Sequence, residues 1–356
     1  MNKVGLITIH DTRNYGSLLQ TFSLYKAIES LGVNIELIDY KCKAIVQREN
    51  TYDWKSCKTF KDYVFHFLLH KKLEKQYQNM WSFIRENMKV SISYNKNTIK
   101  ESNLKYDTFI VGSDIVWGMN ITGRDFSYML DFADKGKRKL SFASSVGTKW
   151  REKDEDKIQK LLRDFDRITV REQIASEWIR PLVGHDVPVT CDPTMLWDKN
   201  FWGNYAVKQY DVKSDKYVLV YMTTGDQKNV RDAIAYGKRH KMKVYYIYFG
   251  TPKINIKCVR PQTVGEWIGL FANAHTVFTA SYHGLLFSLY FNKDVFYYNR
   301  GNKSRMISLG KELCITHREG LDENIINNRP IDWTFVNEKI AEKRAESLKI
   351  LKSYFM

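Results

Sequence analysis

The chain has 356 residues, and 44% of them are hydrophobic, which is enough to build the cores of two domains. Its net charge of +16 favours an anionic partner, such as a phosphate ester, an acidic glycan, nucleic acid or an anionic membrane, although a solvated lysine-rich surface explains the charge equally well. The five cysteines form no CxxC pair and no RNA-recognition, KH, helix-turn-helix or zinc-finger signature is present, so a disulfide framework, a zinc site and a nucleic-acid module are not supported.

The first residues alternate between strand and helix patterns. Residues 4–9 form a short apolar run that predicts a buried strand without a preceding signal peptide. After a polar loop, apolar positions at helical spacing predict a helix that ends near Gly32, and residues 35–40 predict the next strand. This order predicts a parallel sheet with right-handed crossovers. No apolar run is long enough to span a bilayer, and we expect a cytoplasmic protein.

Residues 41–103 differ in kind, because they are lysine-rich and carry helical patterns. We interpret them as an inserted helical arm that lies outside the sheet. The strand-and-helix alternation then resumes, with strands predicted at residues 106–111, 139–143 and 167–170, a helix at 153–166 and a closing segment at 186–190.

A poorly patterned stretch at residues 198–215 predicts the domain boundary. The second half repeats the alternation, with strands predicted at 217–222, 243–249, 276–280 and 295–298 and helices at 228–240, 264–274 and 283–290. We therefore predict an α/β fold of two Rossmann-like, doubly wound domains facing a cleft. The predicted parts are residues 1–205 with the insertion at 41–103, residues 206–330, and a helical tail at 331–356.

The loop between the first strand and the first helix is the first candidate binding segment. Ligands of open α/β sheets bind at the carboxyl ends of strands, and a helix N-terminus favours anions. The candidate substrate contacts are Asn14, Tyr15, Gly16 and Ser17, with Arg13 able to pair with an anion. The alternative is an ordinary helix-capping loop, in which Ser17 is a cap. Without a GxGxxG motif a dinucleotide is not supported.

Two further strand ends carry polar side chains. After the strand that ends near Val111, Ser113 presents a hydroxyl and Asp114 a carboxylate that can accept a proton from a sugar hydroxyl, unless it only caps the next helix. Arg171 leaves another strand and can bind phosphate or carboxylate bidentately, or form a surface pair with Glu172.

The segment TASYHG at residues 279–284 is the corresponding candidate in the second half. His283 lies where a strand ends and a helix begins, and an imidazole there can exchange protons near neutral pH. Gly284 allows close approach of backbone to a ligand. Ser281 and Tyr282 are further candidate contacts, with helix capping and packing as their alternatives. Arg305 ends a cationic loop that also contains Arg300 and Lys303 and can clamp an anion.

In this order the motifs resemble the polysaccharide pyruvyl transferase family, and the resemblance extends over residues 5–309. The segments are NYGSLLQ (14–20), VGSDIVW (111–117), SFASSVG (141–147), TVRE (169–172), CDPTMLW (191–197) and SYHGLLFSLYF (281–291). The resemblance implies a GT-B-like fold and transfer of a pyruvyl group from phosphoenolpyruvate to a sugar or lipid-linked glycan in exopolysaccharide synthesis. It implies His283 as general acid and Arg171 as a donor contact, with no metal or cofactor. Asp114 or Asp11 is the candidate for activating the acceptor hydroxyl.

One departure leaves the donor open. Well-studied family members carry an arginine two residues before the histidine, where this chain, like many relatives with an S-[FY]-H-G segment, has Ser281. Arg305, Arg300 or Lys303 would then take over the anion, or the donor is a nucleotide-sugar. A non-enzymatic alternative is a glycan- or membrane-binding module, in which the basic arm at residues 55–75 docks peripherally on anionic lipid.

Overall fold

The computed structural model describes residues 3–49, 57, 59–207, 216–222, 227–248, 256–299, 305–321 and 329–356. The chain forms two compact units. The first contains Met1–Leu196 together with Lys343–Met356, and the second contains Trp197–Glu342. Each unit is built on one parallel sheet, which confirms the predicted α/β class.

The sheet of the first unit has six strands in the order β3-β2-β1-β4-β5-β6. They are β1 (Val4–Ile7), β2 (Ile35–Tyr40), β3 (Val90–Tyr94), β4 (Thr108–Val111), β5 (Arg138–Ser144) and β6 (Arg167–Val170). All neighbours are parallel, and β1 pairs with both β2 and β4. The strand order therefore reverses between β1 and β4, which is the switch point where sheets of this type bind ligands.

Helices cover this sheet. They are α1 (Tyr15–Glu29), α2 (Lys43–Glu49), α3 (Phe60–Asn87), α4 (Met119–Thr122), α5 (Glu152–Arg163) and α6 (Gln173–Val183), with 3-10 turns at Ile99–Leu104, Phe126–Met129 and Pro193–Leu196. Helix α1 is buried on nearly every side, because it packs on β2, on α3 and on the turn at Pro193–Leu196. An all-round apolar helix is typical of such an enclosed position.

The prediction that residues 41–103 lie outside the sheet is wrong for one segment. Strand β3 pairs in parallel with β2, with Leu37 opposite Val90. As an edge strand it exposes Ile92 (67%) and has no continuous apolar run, so it lacked the pattern of a buried strand. Residues 186–190, predicted as the closing segment of the first half, contribute one isolated β-bridge, in which Val189 pairs with Val170.

In the residues that the structure describes, the sheet of the second unit has five parallel strands in the order β11-β10-β7-β8-β9. They are β7 (Tyr217–Tyr221), β8 (Lys243–Ile247), β9 (Lys257–Val259), β10 (Thr276–Thr279) and β11 (Asp294–Tyr297). The helices are α7 (Lys199–Tyr205), α8 (Gln227–Arg239), α9 (Val264–Asn273), α10 (Tyr282–Tyr290) and α11 (Arg305–Glu312), and the last helix, α12, is Trp333–Ser353.

The structure places the division of the chain at Leu196, before the predicted boundary at residue 205. Helix α7 belongs to the second unit because its Trp202 is fully buried against Phe287 of α10. The predicted tail is not a separate part either. Its end packs into the first unit, where the buried Tyr354 hydroxyl donates to the Ser141 carbonyl at 2.9 Å.

Candidate active site

The switch point of the first sheet brings a hydroxyl to a carboxylate. Ser17, in the first turn of α1, donates its Oγ proton to Asp114 Oδ2 at 2.5 Å. The other oxygen of that carboxylate accepts from the Ile115 amide at 2.8 Å. Asp114 remains partly exposed, whereas Ser17 is 6% exposed. The carboxylate therefore lies beside the N-terminus of a helix at the edge where ligands bind.

The loop that carries Asp114 is held by its backbone. Gly112 has a φ of +149°, and a Cβ there would lie 1.9 Å from the Phe142 carbonyl oxygen, so only glycine fits. The next peptide bond, to Ser113, is cis. The Ser113 amide donates to Gln20 Oε1 at 3.2 Å, and its carbonyl accepts from Thr8 Oγ1 at 3.2 Å. Thr8, directly after β1, and Gln20 of α1 therefore satisfy both backbone groups of Ser113 and fix the position of the loop that carries Asp114.

Arg171 follows β6 and lies among carboxylates. Its Nη1 donates to Asp192 Oδ2 at 2.8 Å, and its Nε donates to Glu172 Oε1 at 3.1 Å. The side chains of Arg171 and Asp192 are both 0% exposed. Nη1 also lies 3.5 Å from Ser113 Oγ, which ties Arg171 to the loop after β4. The positive charge of Arg171 is therefore balanced by carboxylates inside the protein. This differs from the exposed anion contact, or the surface pair with Glu172, that the sequence led us to expect.

Two of the predicted contacts in the first segment have structural roles. Asn14 is the N-cap of α1, and its Oδ1 accepts from the Gly16 amide at 2.9 Å. Tyr15 is fully buried, and its hydroxyl accepts from Gln76 Nε2 at 2.9 Å, so it packs α1 against α3 instead of facing a substrate. The alternative interpretation, in which Ser17 caps α1, is wrong. The cap is Asn14, and Ser17 lies three residues further along the chain.

Asp11, the other candidate for activating an acceptor, is fully engaged. Its Oδ1 accepts from the Tyr77 hydroxyl at 2.5 Å and from Trp81 Nε1 at 3.1 Å, while Oδ2 pairs with Lys41 at 2.8 Å. Burial raises the pKa of Asp11, but the hydrogen bonds from Lys41 and Tyr77 outweigh burial and hold that pKa below its ordinary value. Both oxygens of Asp11 are therefore occupied and its lowered pKa makes it a weak base, which argues against a role in activating an acceptor hydroxyl.

In the second unit, α10 begins at the carboxyl end of β10. Ser281 is its N-cap, and the Ser281 Oγ accepts from the Gly284 amide at 3.4 Å. The Ser281 amide in turn donates to Thr279 Oγ1 at 3.1 Å. His283 is the second residue of the helix and is 8% exposed. The structure thus places the imidazole in the first helical turn at the carboxyl edge of the sheet, as the sequence predicts.

A cation stands next to this helix start. The guanidinium carbon of Arg305, the first residue of α11, lies 4.9 Å from the centre of the Tyr282 ring. That ring meets the His283 imidazole edge-on, with centroids 5.8 Å apart. Tyr282 therefore links Arg305 to His283 within one unit. Arg300 and Lys303, the other predicted cations of this loop, lie outside the described residues.

Gly284 has a packing role. A Cβ at this position would lie 2.2 Å from Thr279 Oγ1 and 2.8 Å from Tyr221 Cδ1. The Thr279 hydroxyl is itself held, because it donates to the Tyr221 carbonyl at 2.9 Å. Glycine lets α10 lie directly against the ends of β10 and β7, which fixes the orientation of His283.

Arg260 is a candidate that sequence reasoning missed. It follows β9 directly and is 8% exposed, and its guanidinium carbon lies 4.3 Å from the centre of the Tyr248 ring at the end of β8. An arginine that leaves a strand end was the signal used for Arg171, and it applies equally here. Strand β9 has only three residues and no apolar run, so it was not recognised.

In the described ranges no three His, Cys, Asp or Glu side chains are grouped as metal ligands. Nor does any helix of those ranges have the length and apolar character needed to cross a membrane.

The fold recurs in solved structures of sugar-nucleotide enzymes. A UDP-N-acetylglucosamine 2-epimerase from Listeria monocytogenes is similar, with a TM-score of 0.57 and 14% identity over 100% of this chain and 97% of that one. S. aureus MnaA, solved with UDP, is similar with a TM-score of 0.53 and 13% identity over 99% of this chain and 97% of that one. Arabidopsis thaliana UGT89C1, solved with UDP-L-rhamnose, is similar with a TM-score of 0.51 and 7% identity over 99% of this chain and 98% of that one.

These likenesses define the class as proteins of GT-B-like fold, built from two Rossmann-like domains. The model of the polysaccharide pyruvyl transferase family matches residues 14–302. The chain therefore belongs to the polysaccharide pyruvyl transferase family and is a transferase. No curated protein matches the sequence.

Proposed function

We propose that this transferase moves the pyruvyl group of phosphoenolpyruvate onto two hydroxyls of a glycan or lipid-linked sugar, which forms a pyruvate ketal and releases phosphate. Family membership supports the reaction class. The observation that carries the proposal is the position of His283, in the first turn of α10 at the carboxyl edge of a parallel sheet, with Arg305 one aromatic ring away.

The proposed chemistry begins at the enol. His283, protonated, transfers its proton to C3 of phosphoenolpyruvate, which becomes the methyl group, and positive character develops at C2. One sugar hydroxyl attacks C2 and loses its proton. The C2–O bond to phosphate then breaks, and a second hydroxyl attacks C2 and passes its proton to the departing phosphate, which closes the ketal. Atoms balance without any redox partner, and no cofactor is called for.

The anionic donor needs a cationic side chain close to His283. Arg305 is the best candidate, because it lies beside the Tyr282–His283 pair and at the start of α11, where the helix dipole also favours anions. It would replace the family arginine that this chain lacks at Ser281. Arg171 is matched by Asp192 and Glu172. We therefore assign it the positioning of Ser113 and its loop, in addition to the donor contact that the family implies.

For the acceptor we propose Asp114 as the base. Its carboxylate is partly exposed and already accepts a hydroxyl hydrogen bond from Ser17, so its geometry suits a second hydroxyl donor. A sugar hydroxyl that hydrogen-bonds to this carboxylate would hand its proton to Asp114.

A nucleotide-sugar donor is the second candidate, favoured by Ser281 in place of the family arginine. The proteins of similar fold include one solved with UDP and one with UDP-L-rhamnose. The test incubates purified protein with carbon-14 phosphoenolpyruvate or with carbon-14 UDP-N-acetylglucosamine, each with a panel of p-nitrophenyl glycosides. We expect label from phosphoenolpyruvate in the glycoside, with equimolar phosphate. Label from the nucleotide-sugar and release of UDP would instead establish the alternative.

A further inference from the structure

Exposed hydrophobic side chains are concentrated at the start of α3. Within the described ranges, the large hydrophobic residues on the surface are Phe60, Tyr63, Val64, Phe67, Leu68, Ile92, Leu104, Val189, Val207, Ile234 and Met356. Five of these eleven lie between Phe60 and Leu68. Phe60 is 84% and Phe67 86% exposed, so the aromatic rings stand almost entirely in solvent. A cluster of this kind marks an interaction surface.

The helix register separates this cluster from the core. Leu69, Leu73, Gln76 and Met80 are buried and recur every three or four residues, so they form the stripe that packs on the first unit. Phe60, Val64 and Phe67 follow the same spacing on the opposite face, and Lys71 and Lys75 continue that face. The later turns thus anchor α3, while its first turns present an outer face that is apolar and then basic.

This order along the helix matches the layers of an anionic bilayer. Aromatic and aliphatic side chains favour the boundary between headgroups and acyl chains, and lysines favour the lipid phosphates above it. The net charge of +16 adds a long-range attraction to such a surface. An identical copy packed by a two-fold axis would set this face against itself and offers no anionic layer for Lys71 and Lys75.

We propose that the first turns of α3 dock the protein peripherally on anionic lipid, with Phe60 and Phe67 entering the interface and Lys71 and Lys75 pairing with lipid phosphates. This surface is distinct from the residues assigned to catalysis and independent of the donor. The basic arm predicted at residues 55–75 includes residues around Lys55 that lie outside the described residues. The proposed docking face is therefore defined by the described part of α3 alone.

Vesicle co-sedimentation tests the proposal. The full chain should bind vesicles of mixed phosphatidylcholine and phosphatidylglycerol, and not vesicles of phosphatidylcholine, with binding lost at high salt. We expect F60S/F67S and K71E/K75E each to weaken binding by about tenfold or more. The matched controls are I92S/L104S, which removes exposed side chains elsewhere, and K100E/K135E, which reverses the same charge at exposed lysines.

The outcomes separate the possible occupants of this face. If the control variants weaken vesicle binding equally, general charge or hydrophobicity explains the loss of binding, and the proposal is overturned. An absence of binding to anionic vesicles would also overturn it. So would a protein that has no affinity for lipid but forms a dimer in sedimentation velocity, if F60S/F67S dissociates that dimer. Because binding is measured without turnover, the result stands whichever donor the enzyme uses. Thermal unfolding of each variant confirms that the fold is retained.

Discussion

Arg171 and Asp192 form an ion pair that is closed to solvent: Nη1 and Oδ2 are 2.8 Å apart, and neither side chain has exposed surface. Thr194 completes the arrangement, because its amide and hydroxyl both donate to the other oxygen of Asp192, at 3.0 and 2.7 Å. The strand end at Arg171 and the turn at Asp192 are thereby locked together.

Replacing Asp192 by alanine should destabilise the protein strongly. The change leaves the Arg171 charge buried beside a single remaining carboxylate, and breaking a buried pair in this way costs about 3–5 kcal/mol. Urea unfolding measures the loss, with the exposed Asp186→Ala as a control expected within about 0.5 kcal/mol of wild type. The double variant R171M/D192L should recover part of the stability. A D192A protein as stable as wild type would contradict the buried-pair description.

His283→Ala should lower phosphate release from phosphoenolpyruvate by about 10²- to 10⁴-fold, because general acid catalysis by a positioned side chain is worth that much. The exposed His185→Ala is the matched control and should retain full activity. Both are assayed for phosphate release with the glycoside that accepts label, and circular dichroism checks the fold. Unchanged turnover in H283A would remove this imidazole from the proposed reaction.

Asp114→Asn should reduce kcat by about 10²-fold or more, since the amide cannot take a proton from the acceptor. Ser17→Ala should have a smaller effect of about tenfold, because it removes one hydrogen bond that orients the carboxylate. Ser30→Ala, at the far end of α1, serves as control. If D114N and S17A affect only the KM for the acceptor, Asp114 binds the hydroxyl and does not act as its base.

Gly284→Ala should destabilise the second unit by about 1–3 kcal/mol, because the added methyl group overlaps Thr279 Oγ1. Gly203→Ala is the matched control in helix α7, where no atom lies within 4 Å of the added Cβ. Alanine there should be neutral or stabilising by up to about 1 kcal/mol. Thermal unfolding compares the two variants, and equal midpoints would show that α10 has room to move away from the strand ends.

The protein should lose stability in acid because of Asp11 and Asp39. Burial raises the pKa of Asp39. The opposing contacts, of which the hydrogen bond and charge of His10 are the largest, nevertheless hold this pKa well below its ordinary value of 3.8. The pKa of Asp11 is also lowered. Folded-state pKa values below the unfolded value stabilise the protein above about pH 4, and this contribution disappears as the pH falls towards the folded values.

Lys41 pairs with both carboxylates, at 2.8 Å to Asp11 and 3.0 Å to Asp39. Lys41→Met should therefore reduce the unfolding free energy at pH 7 by about 1–2 kcal/mol and flatten its decline between pH 5 and pH 3. Urea titrations over this range measure both effects, and the exposed Lys135→Met controls for net charge. Parallel pH curves for wild type and K41M would contradict the coupling.

Most strands and helices followed from the sequence, because buried parallel strands are continuous apolar runs and several helices, such as α9 and α10, begin at a polar cap. Ser281 and His283 were placed correctly at the start of α10 for this reason. The edge strand β3 and the three-residue strand β9 were missed. Their backbones are ordered by pairing with a neighbouring strand, and pairing leaves no apolar signature in a short exposed segment.

The family and the strand ends at which polar side chains gather can be recognised from the amino-acid order alone, since both depend on local sequence. The roles of those side chains depend on contacts between distant parts of the folded chain. Ser17 meets Asp114 across 97 positions of sequence, and Arg171 meets a carboxylate 21 positions away, so its charge is already balanced. Tyr15 and Gly284 each lie in a segment of candidate residues between a strand and a helix, yet burial gives both a packing role. Local sequence specifies where the backbone turns, whereas burial and charge pairing depend on which distant segments the sheet order brings together.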